Sequence, residues 1–168
     1  CPRCGKEFET DSAGTELWCN ACGARWEQDV YGRLHATDCG ETVYEHIPDW
    51  TKWEQECVKK EVEEGSYRME LDVEIGIIAD HKALYMVGDG KFIHDENGYT
   101  LTSADGSLSY TQTPLASYTL NSDFNWYEIG DVICIGDMKT LYYCFPKTDQ
   151  DVVARTRIAT EELFKLAE

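Results

Sequence analysis

Residues 67–80 read Tyr-Arg-Met-Glu-Leu-Asp-Val-Glu-Ile-Gly-Ile-Ile-Ala-Asp, and their period decides the fold. Tyr67, Met69, Leu71, Val73, Ile75 and Ile77 alternate with Arg68, Glu70, Asp72, Glu74 and Gly76, the two-residue repeat of a long strand with one face buried. On the C-terminal side, short strands are expected at 83–87 and 91–94, which can form one bent or bulged strand, then at 99–102, 108–111, 116–120, 131–135 and 140–145. Asn97-Gly98, Asp105-Gly106 and Gly136-Asp137 punctuate them. Gly88-Asp89-Gly90 reads as a tight turn between strands; with no helix after it, it is not a phosphate cradle. Pro146 closes the last strand. Asp149 or Asp151 can cap a final helix whose stripe is Val152, Thr156, Ala159, Leu163 and Leu166.

Upstream of the long strand the period is helical. Residues 47–65 place Pro48 in a first turn, Asp49 near the positive helix end and Gly65 at the stop. Trp50, Trp53 and Cys57 form an apolar stripe with Val58 and Val62 beside them, read as a clamp that docks the helix on its own chain rather than as a membrane-interface anchor.

The first 22 residues hold two Cys-x-x-Cys pairs. Cys1-Pro2-Arg3-Cys4-Gly5 and Cys19-Asn20-Ala21-Cys22-Gly23 each present two thiolates from one turn, and the following glycine supplies the positive φ that the turn needs. Two such turns make a Cys4 site, so Cys1, Cys4, Cys19 and Cys22 are expected to hold one structural Zn²⁺ rather than to form two disulfides or remain free thiols. Four protein ligands leave no position for an activated water. The turns also resemble the knuckles of rubredoxin, an iron electron carrier, but rubredoxins hold theirs further apart along the chain. Thiolate ligation implies a reducing compartment such as the cytosol. After the second turn, 24–29 and 33–36 flank Tyr31-Gly32 as a hairpin. Cys39, Cys57, Cys134 and Cys144 lack paired spacing and are expected as small buried hydrophobes. Cys39 with His35 could replace a ligand, but the turns already supply four.

These readings give an α+β, mainly β chain: a zinc ribbon over 1–46, a linking helix over 47–65, and over 66–168 a seven-stranded antiparallel barrel with a C-terminal helix, the architecture of a pleckstrin-homology-like domain. The 168 residues, 42% of them hydrophobic, suffice for a sizeable core. The first residue is Cys, so the chain is expected to be cut from a longer one. Its 32 acidic residues exceed 15 Lys and Arg for a net charge of −17, which disfavours nucleic acid and anionic lipid headgroups. The ribbon segment is no exception: Arg3, Lys6, Arg25 and Arg33 face Glu7, Glu9, Asp11, Glu16, Glu27, Asp29 and Asp38. The first hairpin of the β domain offers only Lys82 and Lys91. His35, His46, His81 and His94 stand without a nucleophile or ligand spacing, and Asp80-His81 reads as a turn, so no catalytic residue is expected.

The order of parts, from CPRCG and CNACG through IPDWTKWEQECVKKEVEEG to a β-rich segment closing on ATEELFKL, resembles the C-terminal extension of bacterial lysophospholipid acyltransferases of the 1-acyl-sn-glycerol-3-phosphate type. That resemblance implies a parent at the cytoplasmic membrane face in phospholipid synthesis. The family's catalytic box is His-x4-Asp, with the His as base. Five positions after each His here stand Gly40, Thr51, Met86 and Tyr99, so no catalytic residue transfers. The chain is then expected as an accessory region whose partner is an upstream catalytic domain or another protein. The alternative is a free-standing protein-interaction adaptor; a nucleic-acid-binding ribbon is set back by the charge.

Overall fold

The computed structural model describes residues 1–78, 83–117, 122–126, 129–137 and 139–168, with the backbone alone over 122–126. The chain is α+β and mainly β, and it divides into two units, Cys1–Cys57 and Val58–Glu168. Asp80, His81 and Lys82 lie outside the described residues.

The first unit is a four-stranded antiparallel sheet in chain order: β1 (Thr10–Ala13), β2 (Glu16–Cys19), β3 (Arg25–Gln28) and β4 (Leu34–Ala36). The β3–β4 hairpin falls where the sequence placed it. The β1–β2 hairpin, turning at Gly14 (φ 62°), was not expected. Trp26 of β3 is 1% exposed, donates its indole N–H to the Thr42 carbonyl at 3.0 Å, and meets Trp50 edge-on at 5.3 Å. Trp50 belongs to helix α1 (Ile47–Glu63), of which residues 47–57 belong to this unit and residues 58–63 to the other. The clamp is thus seen in Trp50, which is buried, while Trp53 is half-buried beside Tyr44. The helix stops as expected: Gly65 (φ 67°) donates to Val62 and Ser66 to Glu61, the paired bonds of a Schellman cap.

In the second unit seven antiparallel strands form one sheet. In chain order they are β5 (Met69–Ile78), β6 (Leu84–Asp95), β7 (Gly98–Ser103), β8 (Ser109–Gln112), β9 (Ser122–Trp126), β10 (Gly130–Gly136) and β11 (Leu141–Pro146), and in space β8-β7-β6-β5-β11-β10-β9. The edges, β8 and β9, do not pair with each other among the described residues, so the expected barrel closure is not seen there. The stretch 84–95 is one bulged strand: Ile75 pairs with Gly88 and Gly76 with Met86, leaving Val87 as the extra residue. This corrects the tight turn expected at Gly88-Asp89-Gly90. Gly88 (φ 119°) accommodates the bulge, and a Cβ at Gly90 would collide with the Thr102 carbonyl of β7 and with Ile75.

Two further expectations change. Residues 114–117 form a short helix, α2 (Pro114–Ser117), where a strand was expected over 116–120; residues 118–120 lie outside the described set. Pro114 is suited to a first helical turn, and Ser117 returns its hydroxyl to the Thr113 carbonyl at 2.7 Å. The final helix, α3 (Val152–Ala167), is capped by Asp151, with Val152, Thr156, Ala159 and Leu163 buried as expected but Leu166 exposed. One sheet face buries Val73, Ile75, Phe92, Leu101, Ile133 and Ile135 with Val153 of α3. A neighbouring cluster joins Val58 and Val62 of α1 to Met69, Ala159 and Leu163. Cys134 and Cys144 are buried as expected, whereas Cys57 is half-buried and Cys39 exposed. Among the described residues no helix is long and apolar enough to cross a membrane.

Candidate metal centre

The two Cys-x-x-Cys-Gly segments fold alike. Gly5 donates to the Cys1 carbonyl at 2.8 Å and Gly23 to the Cys19 carbonyl at 2.9 Å, and both glycines take positive φ, at 68° and 74°. Each turn therefore directs two sulfurs to the same side. Strand β2 delivers Cys19, whose N–H donates to Ala24 at 2.9 Å, and the Asn20 N–H donates to Glu9 at 2.7 Å, tying the second turn to the segment that follows the first.

The result brings all four predicted ligands together. Cys1 and Cys22 sulfurs lie 3.8 Å apart, Cys4 and Cys19 sulfurs 3.8 Å apart, and all four fall within 4.8 Å of one another. A disulfide requires about 2.05 Å, so these are not bonded pairs. A tetrahedron with metal–sulfur bonds of about 2.3 Å has edges of about 3.8 Å. The cluster is thus close enough to hold a metal ion. Cys1 and Cys19 are buried, at 7% and 1% exposure, while Cys4 and Cys22 face solvent and give an ion a route in.

Thiol chemistry at the centre favours a cation. Burial pushes Cys19 up, but N–H donation from Cys22 and Ala21 and the thiols of Cys22 and Cys4 outweigh it, leaving Cys19 below its ordinary value. The Ala24 N–H pulls Cys22 down, yet burial and crowding by Cys19 and Cys4 leave it raised. Ionising Cys19 and Cys22 together at this spacing therefore calls for a positive charge between them.

Arg3, inside the first turn, ties that turn to the segment before α1. Its guanidinium donates to Asp38 at 2.6 Å and to the Glu41 carbonyl at 2.7 Å, and lies 4.9 Å from the Trp26 ring centre. That guanidinium, then the Gly40 N–H, lower the Asp38 carboxyl to about 2. From the sequence Arg3 counts only as one cation of the segment, because the partners of an x residue in Cys-x-x-Cys depend on the distant chain that folds against it.

The other candidates go elsewhere. His35 contacts Asp29 at 3.2 Å and His46 contacts the Gly32 carbonyl at 3.3 Å, so neither joins the thiols; nor does Cys39. His94 is buried in the second unit against Tyr67 and Tyr99. Among the described residues the four thiols are the one group of three or more such side chains placed to share an ion. The chain matches no protein-family profile, no curated protein and no solved structure.

Proposed function

We propose that the chain is a non-catalytic accessory region, fastened by one structural zinc ion at Cys1, Cys4, Cys19 and Cys22, that positions or regulates a larger protein or engages a protein partner. The observation that carries this reading is the gathering of four cysteine sulfurs within 4.8 Å of one another. Two of their separations, 3.8 Å each, match the edge of a Zn–S4 tetrahedron, and four thiolates would fill that coordination shell, leaving no position for substrate or water. Elemental analysis of the purified chain is expected to return one zinc per molecule. Less than about half an equivalent, or iron as the dominant metal, would overturn the zinc assignment.

A pleckstrin-homology-like reading of the second unit is supported by two antiparallel meanders, β5 to β8 and β9 to β11, joined through β5 and β11 and followed by α3 against β9 and β10. The parent protein as a bacterial phospholipid-synthesis acyltransferase rests on the sequence resemblance alone. On that reading the isolated chain is expected to show no acyl transfer to lysophosphatidate above a buffer control. Turnover that survives repurification would sink the accessory role.

Charge points the partner away from lipid and nucleic acid. Lys91 is taken up by Glu70 at 2.9 Å and Asp72 at 3.8 Å, Arg68 by Asp95 at 2.7 Å, and Lys147 by Asp89 at 2.5 Å. These three cations of the second unit thus sit in acidic settings, where an anionic surface gains little from them. We expect the chain not to sediment with phosphatidylserine-containing vesicles at physiological salt. Sedimentation that grows as salt is lowered would reveal a cationic patch and refute this.

A further inference from the structure

On the first unit an open groove of about 570 Å³ runs between residues 43–46 and the first turns of α1, and its lining includes Tyr44, Glu45, Asp49, Lys52, Trp53 and Glu56. Its floor is aromatic: Tyr44 and Trp53 lie 6.3 Å apart and both remain half-exposed. Its rim is acidic. Asp49 has Lys52 at 3.4 Å, while Glu45 and Glu56 pair with no cation among the described residues. The chain holds this shape against local preference. Val43 takes φ 66°, rare for a β-branched residue, and the Tyr44 N–H closes back on the Thr42 carbonyl at 2.9 Å. Thr42 is fixed from below, its carbonyl by the Trp26 indole at 3.0 Å and its hydroxyl by the Ala36 N–H at 3.1 Å. The outcome is an apolar Val43 side chain at the groove edge, 47% exposed.

We propose that this groove binds a short basic segment of a partner protein, with an arginine or lysine side chain over Tyr44 and Trp53 and with Glu45 and Glu56 as its counter-charges. The occupant follows from complementarity. Aromatic faces attract cations, uncompensated carboxylates beside them strengthen that attraction, and the net charge of −17 repels phosphate-bearing competitors while steering cationic peptides inward. Val43 adds an apolar edge for an aliphatic neighbour in the same segment. This inference names the partner class of the accessory role proposed above and rests on that reading.

The test is fluorescence anisotropy of a labelled hexapeptide carrying two arginines and one leucine, titrated with the full zinc-loaded chain at physiological salt. Saturable binding is expected, weakened roughly fivefold or more by Trp53→Ala and by the pair Glu45→Gln/Glu56→Gln. The control pair Glu16→Gln/Glu27→Gln, cross-strand partners on β2 and β3 outside the groove lining, removes equal charge and is expected to leave binding unchanged. Equal weakening by both pairs would assign the attraction to the overall field and overturn the groove, as would no binding at all. Zinc content is read on every protein. If Trp53→Ala loses its metal, the glutamine pairs decide. A chain that holds no zinc fails the accessory reading, whereas a zinc-loaded chain that ignores the peptide fails this inference alone.

Discussion

Replacing Cys19 by Ser is expected to release the metal and unfold Cys1–Cys57 while the sheet of Val58–Glu168 persists. Cys19 is 1% exposed at the end of β2, pairs in register with Thr10, and brings its sulfur to 3.8 Å from Cys4. A serine oxygen is harder and shorter-reaching than a thiolate and does not complete a soft tetrahedral shell. The apolar cluster of this unit is small, centred on Trp26, Leu34 and Trp50, and a unit of this size has little stability to spare. Structural zinc contributes on the order of 10 kcal/mol to folding in small fingers, more than such a core could replace. The second unit has its own clusters, built from the end of α1, from β5, β6, β7, β10 and β11 and from α3, none of which includes one of the four clustered cysteines. Tryptophan emission offers a direct readout, since Trp18, Trp26, Trp50 and Trp53 all belong to the first unit. A red shift with zinc loss is expected for Cys19→Ser and for wild type under chelator, but not for the exposed Cys39→Ser. Retained zinc and an unshifted spectrum in Cys19→Ser would refute the site.

What the sequence disclosed follows from which forces are local. The knuckles are legible because the chemistry demands two cysteines and a positive-φ glycine within five residues, and the structure places Gly5 and Gly23 accordingly. Strand β5 is legible because Val73 and Ile75 are buried while Glu70 and Asp72 are exposed, so the period survives in the residue types. Strand β1 is not, because Thr10–Ala13 is exposed on both faces and leaves no alternation to read. Strand β9 carries Asp123 and Asn125, poor strand formers, and its pairing with β10 came only from the backbone register. Gly88-Asp89-Gly90 reads locally as a turn, yet ladders to β5 and β7 draw it into one bulged strand. The groove beside Trp53 and the surroundings of His94 were beyond reach for a related reason. Each is assembled from segments whose proximity only the fold creates.

Lowering the pH from 7 to 5 is expected to destabilise the second unit by about 2 kcal/mol through His94 alone. His94 on β6 is 1% exposed, its Nδ1 lies 3.0 Å from the Tyr67 hydroxyl, and its ring stacks on Tyr99 at 4.2 Å. Tyr99 in turn shares its hydroxyl with Thr160 of α3, so the imidazole sits in a polar network that joins the sheet to the last helix. Burial lowers its pKa to about 3, and the neighbouring Asp95 carboxylate, which favours the charged form, does not offset that. An unfolded histidine titrates near about 6.5. Below that value the unfolded chain takes up a proton that the folded chain refuses, so stability falls as pH drops, and the loss continues until pH approaches the folded value. Among the described carboxylates of this unit, Asp105 is held at about 2 by the Ser103 hydroxyl and then by the Ser107 N–H, Glu70 is lowered by Lys91 and Asp137 by the Lys139 N–H, and such depressed groups lose their contribution only in a lower window, below about pH 4. The window from 7 to 5 therefore isolates His94 from Asp105. Acid also competes with the proposed metal for the thiolates of the first unit, so the measurement must follow the second unit, by urea denaturation read from assigned amide resonances of β5 to β7. His94→Gln, which cannot titrate, is expected to lose stability at pH 7 but to flatten the dependence between pH 7 and 5. A wild-type protein equally stable at both values, or a variant that keeps the full slope, would show that the imidazole is reached by water and protonated within the folded state.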